Sequence, residues 1–249
     1  MGIFDFFIKK KPAPRNDLFS LIGCDIHSHF VPGIDDGAKD LEDSIAMISG
    51  MMDLGYQKVI TTPHIMADFY QNDRSSILGG LELVKDELEN RGIAFTIEAA
   101  AEYYLDFDFP AKLNEGNMMT FGKNFLLFEL SYLNAPDSLS QTIFEMQTKG
   151  YRPVMAHPER YPYWYKDLEK YREIKEKGVL LQLNINSISG FYSPDAKKVA
   201  EWLIEQDLVD LLGSDCHHLG HINLMKKSIQ HPYLIKLIES GRLMNRGLL

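Results

Sequence analysis

Short apolar runs rich in β-branched and aromatic residues alternate with helical stripes along nearly the whole chain, and this alternation limits the folds open to it. Leu41, Ile45, Ile48 and Met52 follow a helical spacing that Gly55 ends, and "YQKVITT" then predicts a buried strand. Ile77, Leu81, Val84 and Leu88 make the next stripe, closed by Gly92, and "IAFTIEAAAE" predicts the strand after it. The rhythm continues through "NFLLFEL", a helix over 138–149, "RPVMAH", a helix over 167–177, "VLLQLNIN", a helix over 194–206 and "VDLLGSD". With a first strand over 20–27, seven strands are predicted. Strands apolar on both faces and separated by helices form parallel sheets covered by helices, and seven or eight such units can close into a barrel. An open sheet fits less well, because it usually carries a glycine-rich phosphate loop and neither GxGxxG nor GxxxxGKS/T occurs. No linker divides the chain, so one α/β domain over 20–249 is expected after a tail over 1–19.

The tail "MGIFDFFIKKKPAPRNDLF" has an apolar run far short of the roughly 20 residues that span a bilayer. Its lysines follow that run, the reverse of a secretory signal. It reads either as a surface-packed or partly disordered segment ending near Pro12 and Pro14, or as a weak peripheral anchor for a membrane or partner. Asp and Glu number 35 against 26 Lys and Arg, a net charge of −9, which offers no basic footprint to nucleic acid. Two cysteines, Cys24 and Cys216, are too few for a disulfide framework and suit a reducing cytoplasm.

The unusual residues fall at the strand ends. His27 closes the first strand, His64 follows the second, Glu102 ends the third, and Glu129, His157 and Asp215 sit at the ends of the fourth, fifth and seventh. In a parallel barrel these ends meet at one face, so residues remote in sequence surround one pocket. Period-2 geometry points Asp25, His27 and His29 the same way, and Asp36 returns from a turn before Gly37. "GSDCHH" repeats the device with Asp215 and His217. One histidine after a strand is usually a hydrogen-bonded structural residue; six strand ends bearing imidazole or carboxylate make a metal site the better reading. His218, His221 and His231 lie outside the pattern and are expected in structural or exposed roles, with His218 and His221 placed to touch substrate. Imidazole and carboxylate without thiolate suit manganese, iron or zinc, and so many ligands suit two or three ions. Such a centre acidifies water and clamps phosphoryl oxygens, which points to hydrolysis of a phosphate ester.

"DIHSHFVPGIDDG", "TTPH", "AHPERY" and "GSDCHH" resemble the four motifs of the polymerase and histidinol phosphatase (PHP) superfamily, over about residues 21–220. DIHSH with its DDG turn, and HPERY, are similar to bacterial manganese-dependent protein-tyrosine phosphatases of capsule and exopolysaccharide gene clusters. The resemblance implies a distorted (β/α)7 TIM-like barrel with a trinuclear centre. It assigns His27, His29, Glu102 and Asp215 to one ion, Glu102, Glu129 and His157 to a second, and Asp36, His64 and His217 to a third. It makes Arg160 the phosphate-binding arginine, a guanidinium suited to a phosphate dianion, against a purely structural ion pair. The family's second arginine is missing from "HHLGHIN", which leaves His221 as a substitute.

These parts imply attack on phosphorus by a metal-bridging hydroxide, with Arg160 neutralising developing charge and His217 or another histidine protonating the leaving oxygen. A cysteine route is excluded, since C-x5-R is absent: Phe30 and Ile222 stand where the arginine belongs. The aromatic stretch "YPYWYKDLEKY" either flanks a phosphotyrosine or packs in the core. The implied partner is the phosphorylated tyrosine-rich tail of a bacterial tyrosine kinase. The rivals are a small-molecule phosphatase of the histidinol phosphatase type and a non-catalytic, metal-stabilised module that binds kinase tails; a polymerase-associated nuclease fits the charge poorly.

Overall fold

The computed structural model describes residues 17–249, so the tail reading for residues 1–16 lies outside the described residues. In chain order the elements are α1 (Leu18–Ile22), β1 (Cys24–Asp25), α2 (Leu41–Leu54), β2 (Lys58–Thr61), β3 (His64–Ile65), α3 (Arg74–Asn90), β4 (Thr96–Ala99), β5 (Glu102–Tyr104) and α4 (Phe109–Glu115). There follow β6 (Phe125–Glu129), α5 (Leu139–Thr148), β7 (Arg152–Ala156), α6 (Glu169–Glu176), β8 (Leu180–Asn184), α7 (Pro194–Glu205), β9 (Leu211–Gly213), α8 (Leu219–Ser228) and α9 (Pro232–Glu239).

The helices begin and end where local chemistry directs. Asp40 caps α2 by accepting from the Asp43 N–H at 2.9 Å, and Gly55, at φ +105, closes it in a conformation that costs other residues energy. Asp73 and Ser76 form a reciprocal capping box at the start of α3, and Ile77, Leu81, Val84 and Leu88 are its buried face, as the stripe predicts. Ser193 caps α7, with Pro194 at its first position.

All strand ladders are parallel, as expected for strands joined through helices. Among the described residues they fall into two sheets, β1-β2-β4 and β3-β5-β6-β7-β8-β9, without one continuous closed ladder. The first and last strands meet through irregular bonds: the Asp215 N–H donates to His27 O at 2.7 Å and the His29 N–H to Cys216 O at 3.0 Å.

Three predicted strands differ from those observed. The strand expected over 20–27 is helix as far as Ile22, then turns at Gly23, φ +79, and leaves only β1. Leu18, Phe19 and Ile22 bury their side chains in α1, so Leu18 and Phe19, read as tail, join the core. "YQKVITT" with the following residues divides into β2 and β3 around Pro63, which has no N–H for the ladder. "IAFTIEAAAE" divides at Ala100 and Ala101, so Glu102 opens β5 and does not end β4. At these breaks the chain passes from the smaller sheet to the larger.

Candidate metal centre

The strand ends converge as expected, but the backbone there is strained. His157, just after β7, has φ +33 and Asp215, just after β9, has φ +47, values that non-glycine residues rarely adopt. Such strain persists only where surroundings enforce it, and it turns both side chains toward one point. Glycines make room: a Cβ on Gly37 would lie 2.1 Å from His29 O, so the DDG turn closes onto the HxH segment only with glycine there.

Glu102 is fully buried at the centre. Its carboxylate lies 3.0 Å from His27 Nε2, 3.1 Å from His157 Nε2 and 3.2 Å from His64 Nδ1. Four overlapping groups of ligand atoms, each mutually within 4.8 Å, contain all nine sequence-predicted metal residues. They are His29, Asp36, His64 and His217; His27, His29 and Asp215; His27, Glu102 and His157; and His64, Glu102 and Glu129. The expected partition differs in detail, since His29 also approaches the Asp36 group and His64 approaches Glu129.

These residues fit divalent cations. His29 Nε2 and His64 Nδ1 are buried without a hydrogen-bond partner, although carboxylates surround them. A buried ring nitrogen in that state is costly unless something accepts its lone pair. The charges agree. Burial disfavours protonated His27, His64 and His217, yet Glu102, Asp215, Glu129 and Asp36 outweigh it and raise them to about 9, 10 and 9 respectively. Burial likewise opposes ionised Glu102 and Asp215, but His27 and its neighbours hold both well below the usual carboxylate range. The pocket wants positive charge, and without metal it takes up protons.

A supporting layer fixes the rings. Asp35 Oδ2 lies 2.8 Å from His29 Nδ1, and Gln182 Oε1 lies 2.7 Å from His27 Nδ1, which leaves each Nε2 facing the carboxylates. Neither residue is singled out by the sequence patterns. Gln182 and Asn184, polar residues two apart in an otherwise apolar buried strand, were the available signal. Asp25 does not join the ligands; both its oxygens accept from Ser214, by N–H and O–H, each at 2.8 Å.

Arg160 lines the pocket, a cavity of about 520 Å³, with a guanidinium nitrogen 2.7 Å from Asp215 Oδ2. Its guanidinium carbon stands 5.0 Å from the Tyr132 ring centre and 4.0 Å from that of Tyr192. Asn184 and Tyr192 also donate to Asp215 Oδ2, at 2.7 and 3.1 Å. His221 lies in the pocket wall with Nδ1 3.0 Å from Asp215 O; burial and His218 lower it to about 4, so it is a neutral ring. A neutral ring at the pocket wall can offer a hydrogen bond but not an arginine's charge. His218 is exposed, and His231 stands at the start of α9, 3.8 Å from Glu201. In "YPYWYKDLEKY", Tyr161 and Tyr171 are fully buried and Trp164 nearly so, which favours the packing reading. Aromatic surface in the pocket comes instead from Tyr70, Tyr104, Tyr132 and Tyr192.

Residues 23–231 match the family model described as capsular polysaccharide synthesis, CpsB/CapC. The chain belongs to the CpsB/CapC family. Its relatives in this family include tyrosine-protein phosphatase YwqE of Bacillus subtilis, 27% identical over 78% of this chain and 77% of that protein. Tyrosine-protein phosphatase CpsB of Streptococcus agalactiae is 29% identical over 78% and 83%. A structure from work on YwqE and Streptococcus pneumoniae CpsB, described as unique metal-dependent tyrosine phosphatases, superimposes with TM-score 0.77 at 25% identity, covering 91% of this CpsB/CapC chain and 95% of the other. The lactonase Lmo2620 of Listeria monocytogenes shares the fold alone, at TM-score 0.52 and 12% identity.

Proposed function

We propose that this CpsB/CapC chain is a metal-dependent protein-tyrosine phosphatase of capsular or exopolysaccharide synthesis. The observation that carries this is the gathering of nine imidazole and carboxylate residues around buried Glu102, beside the guanidinium of Arg160. The relatives' description as tyrosine phosphatases supports the same reading. It treats the two parallel sheets as the parted wall of a distorted (β/α)7 barrel, supported by the Asp215 to His27 bond between last and first strands.

His27, His29, Asp36, His64, Glu102, Glu129, His157, Asp215 and His217 would hold two or three ions, with manganese favoured and iron or zinc compatible with the donors. When bound, the ions supply Lewis-acid charge and an acidified water. The chain's own residues do the rest. Arg160 presents parallel N–H donors to the phosphoryl oxygens and keeps its charge at any working pH. His217, partly exposed at the pocket wall, would give a proton to the leaving oxygen only in a centre that leaves its ring unligated, with the other eight residues holding the ions. Phenolate leaves readily, so that donation matters less for an aryl ester than for an alkyl one.

The substrate is read as the phosphorylated tyrosine-rich tail of a bacterial tyrosine kinase, met in the cytoplasm. No described helix is long and apolar enough to cross a membrane. Cys24 and Cys216 are free and buried, and burial pushes both thiols up, so neither serves as a nucleophile. The deciding experiment strips the protein with chelator, restores single metals, and offers phosphotyrosine peptide, phosphoserine peptide and histidinol phosphate. Preference for phosphotyrosine is expected. Equal or faster release from histidinol phosphate would indicate a small-molecule phosphatase, and kinase-tail binding without turnover a non-catalytic module.

A further inference from the structure

The three most exposed large apolar side chains among the described residues are Leu133, Phe107 and Phe69, at 88%, 77% and 76%. None lies at random. Phe69 follows His64 by five residues, Phe107 follows Glu102 by five, and Leu133 follows Glu129 by four. Each therefore stands on the loop that leaves a strand bearing a candidate ligand. Half-exposed Phe191 packs edge-on against His221, with ring centres 5.2 Å apart, and half-exposed Leu219 follows His217 by two residues. Loops leaving the carboxyl ends of parallel strands gather at one face. Phe69 adjoins Tyr70, Leu133 adjoins Tyr132, Phe191 adjoins Tyr192 and Leu219 adjoins His218, all of which line the phosphoryl pocket, so these apolar residues stand on the loops that border it.

Single exposed apolar residues need no explanation, but several gathered on one functional rim mark a surface that another molecule covers. The pocket itself, about 520 Å³ and lined by Arg160, Tyr70 and Tyr132, suits one phosphorylated aromatic side chain. A polypeptide that delivers such a side chain to Arg160 must lie across the loops that carry Phe69, Phe107 and Leu133. Charge narrows the occupant. Asp68 and Asp137 are exposed on the same loops, the Asp36 side chain is 51% exposed, and the chain carries −9 overall. An anionic bilayer surface is repelled by that balance.

We propose that this rim is a docking surface for the polypeptide flanking the phosphotyrosine, and that it selects segments with apolar side chains and without clustered acids. The proposal rests on the phosphatase reading above and adds the chemistry of the substrate's neighbours.

The test compares metal-loaded wild type with the triple variant Phe69→Ser, Phe107→Ser, Leu133→Ser. Two phosphotyrosine peptides of equal length and charge are used, one flanked by leucine and phenylalanine, the other by glycine and serine. p-Nitrophenyl phosphate, too small to reach the rim, reports on the pocket and the fold. In wild type the apolar-flanked peptide is expected to show about tenfold lower KM, the order that burial of one or two apolar side chains gives. The triple variant is expected to lose that preference with kcat on the peptides little changed. A preference that survives in the variant, its absence in wild type, or an equal loss on p-nitrophenyl phosphate would overturn the proposal. So would co-sedimentation of wild type, but not the variant, with neutral phosphatidylcholine vesicles, which would make the rim a lipid contact. If wild type hydrolysed p-nitrophenyl phosphate but neither peptide, the protein-phosphatase reading would fall first and this one with it.

Discussion

Asp35 Oδ2 lies 2.8 Å from His29 Nδ1, and this contact aims the other ring nitrogen at Glu102 and Asp215. Asp35 also accepts from the backbone N–H groups of Gly37 and His64, at 3.0 and 3.2 Å, so one carboxylate holds the turn, a ring and a strand start together. Asp35→Ala is expected to weaken manganese affinity roughly 10- to 100-fold, the usual effect of losing a ligand's supporting partner. Asp35→Asn, which keeps an acceptor oxygen, should recover part of that loss in a calorimetric titration. Affinity unchanged in the alanine variant would show that the ring needs no such support.

The acid–base balance of the centre predicts opposite pH trends with and without metal. His27 and His217 are raised to about 9 and His64 to about 10, so metal-free protein gains stability from their protonation, in full below about pH 6.5 and lost as pH climbs through 9 to 10. Glu102 and Asp215 are depressed, so their contribution is present above about pH 4 and lost on further acidification. Chelator-treated protein should therefore melt at a lower temperature at pH 9.5 than at pH 7. Ligation requires neutral imidazole, so the Tm gain on adding manganese should grow over the same interval. Thermal melts at fixed ionic strength check both; a metal-free Tm that rises between pH 7 and 9.5 contradicts the charge pattern.

Asp25 in β1 and Ser214 just after β9 join the first strand to the last. Asp25→Ala leaves the buried Ser214 N–H without an acceptor, while the Ser214 hydroxyl keeps its bond to His27 O at 2.9 Å. The expected cost is about 1–3 kcal/mol in urea unfolding of the metal-free protein, the penalty of one orphaned donor. A change within experimental scatter would mean that the strands are held without this pair.

Arg160→Lys retains charge but loses the planar fork and its place between Tyr132 and Tyr192. Loss of one charge-assisted hydrogen bond, about 1.5–3 kcal/mol, corresponds to roughly a 10- to 100-fold fall in kcat/KM for phosphotyrosine peptide. Metal content, measured in parallel, should hold. Full activity in the lysine variant would assign Arg160 to the Asp215 ion pair alone.

The chain announces much of this architecture. The buried face of α3 follows the Ile77 to Leu88 stripe because side-chain periodicity survives tertiary packing, and α5, α6 and α7 begin and end within two residues of prediction. Six of the nine clustered residues were legible because a parallel sheet gathers its strand ends on one rim, and His29, Asp36 and His217 because each stands beside one of them in a paired motif or turn, although Glu102 in fact opens its strand. What stayed hidden depends on neighbours far away in sequence. Pro63 and Ala100–Ala101 break ladders only because two sheets diverge there, and "LFSLI" is helical because its apolar face finds the core. Asp35 and Asp36 are adjacent and chemically alike; one is buried under His29 and the other reaches His64 and His217, a division that no local pattern encodes. Tyr132 and Tyr192 meet Arg160 across separate loops, whereas the conspicuous aromatic run after Arg160 turns inward.

The Asp215 N–H reaches His27 O at 2.7 Å, linking the segment that follows β9 to the one that follows β1. A chain folded only through β8 would hold His27, His29, His64 and His157, four of the five clustered imidazoles, yet lack the Asp215 and His217 that complete the groups. Ion capture is therefore expected to report that the segment after β9 has docked beside β1, since the groups that include Asp215 and His217 exist only then.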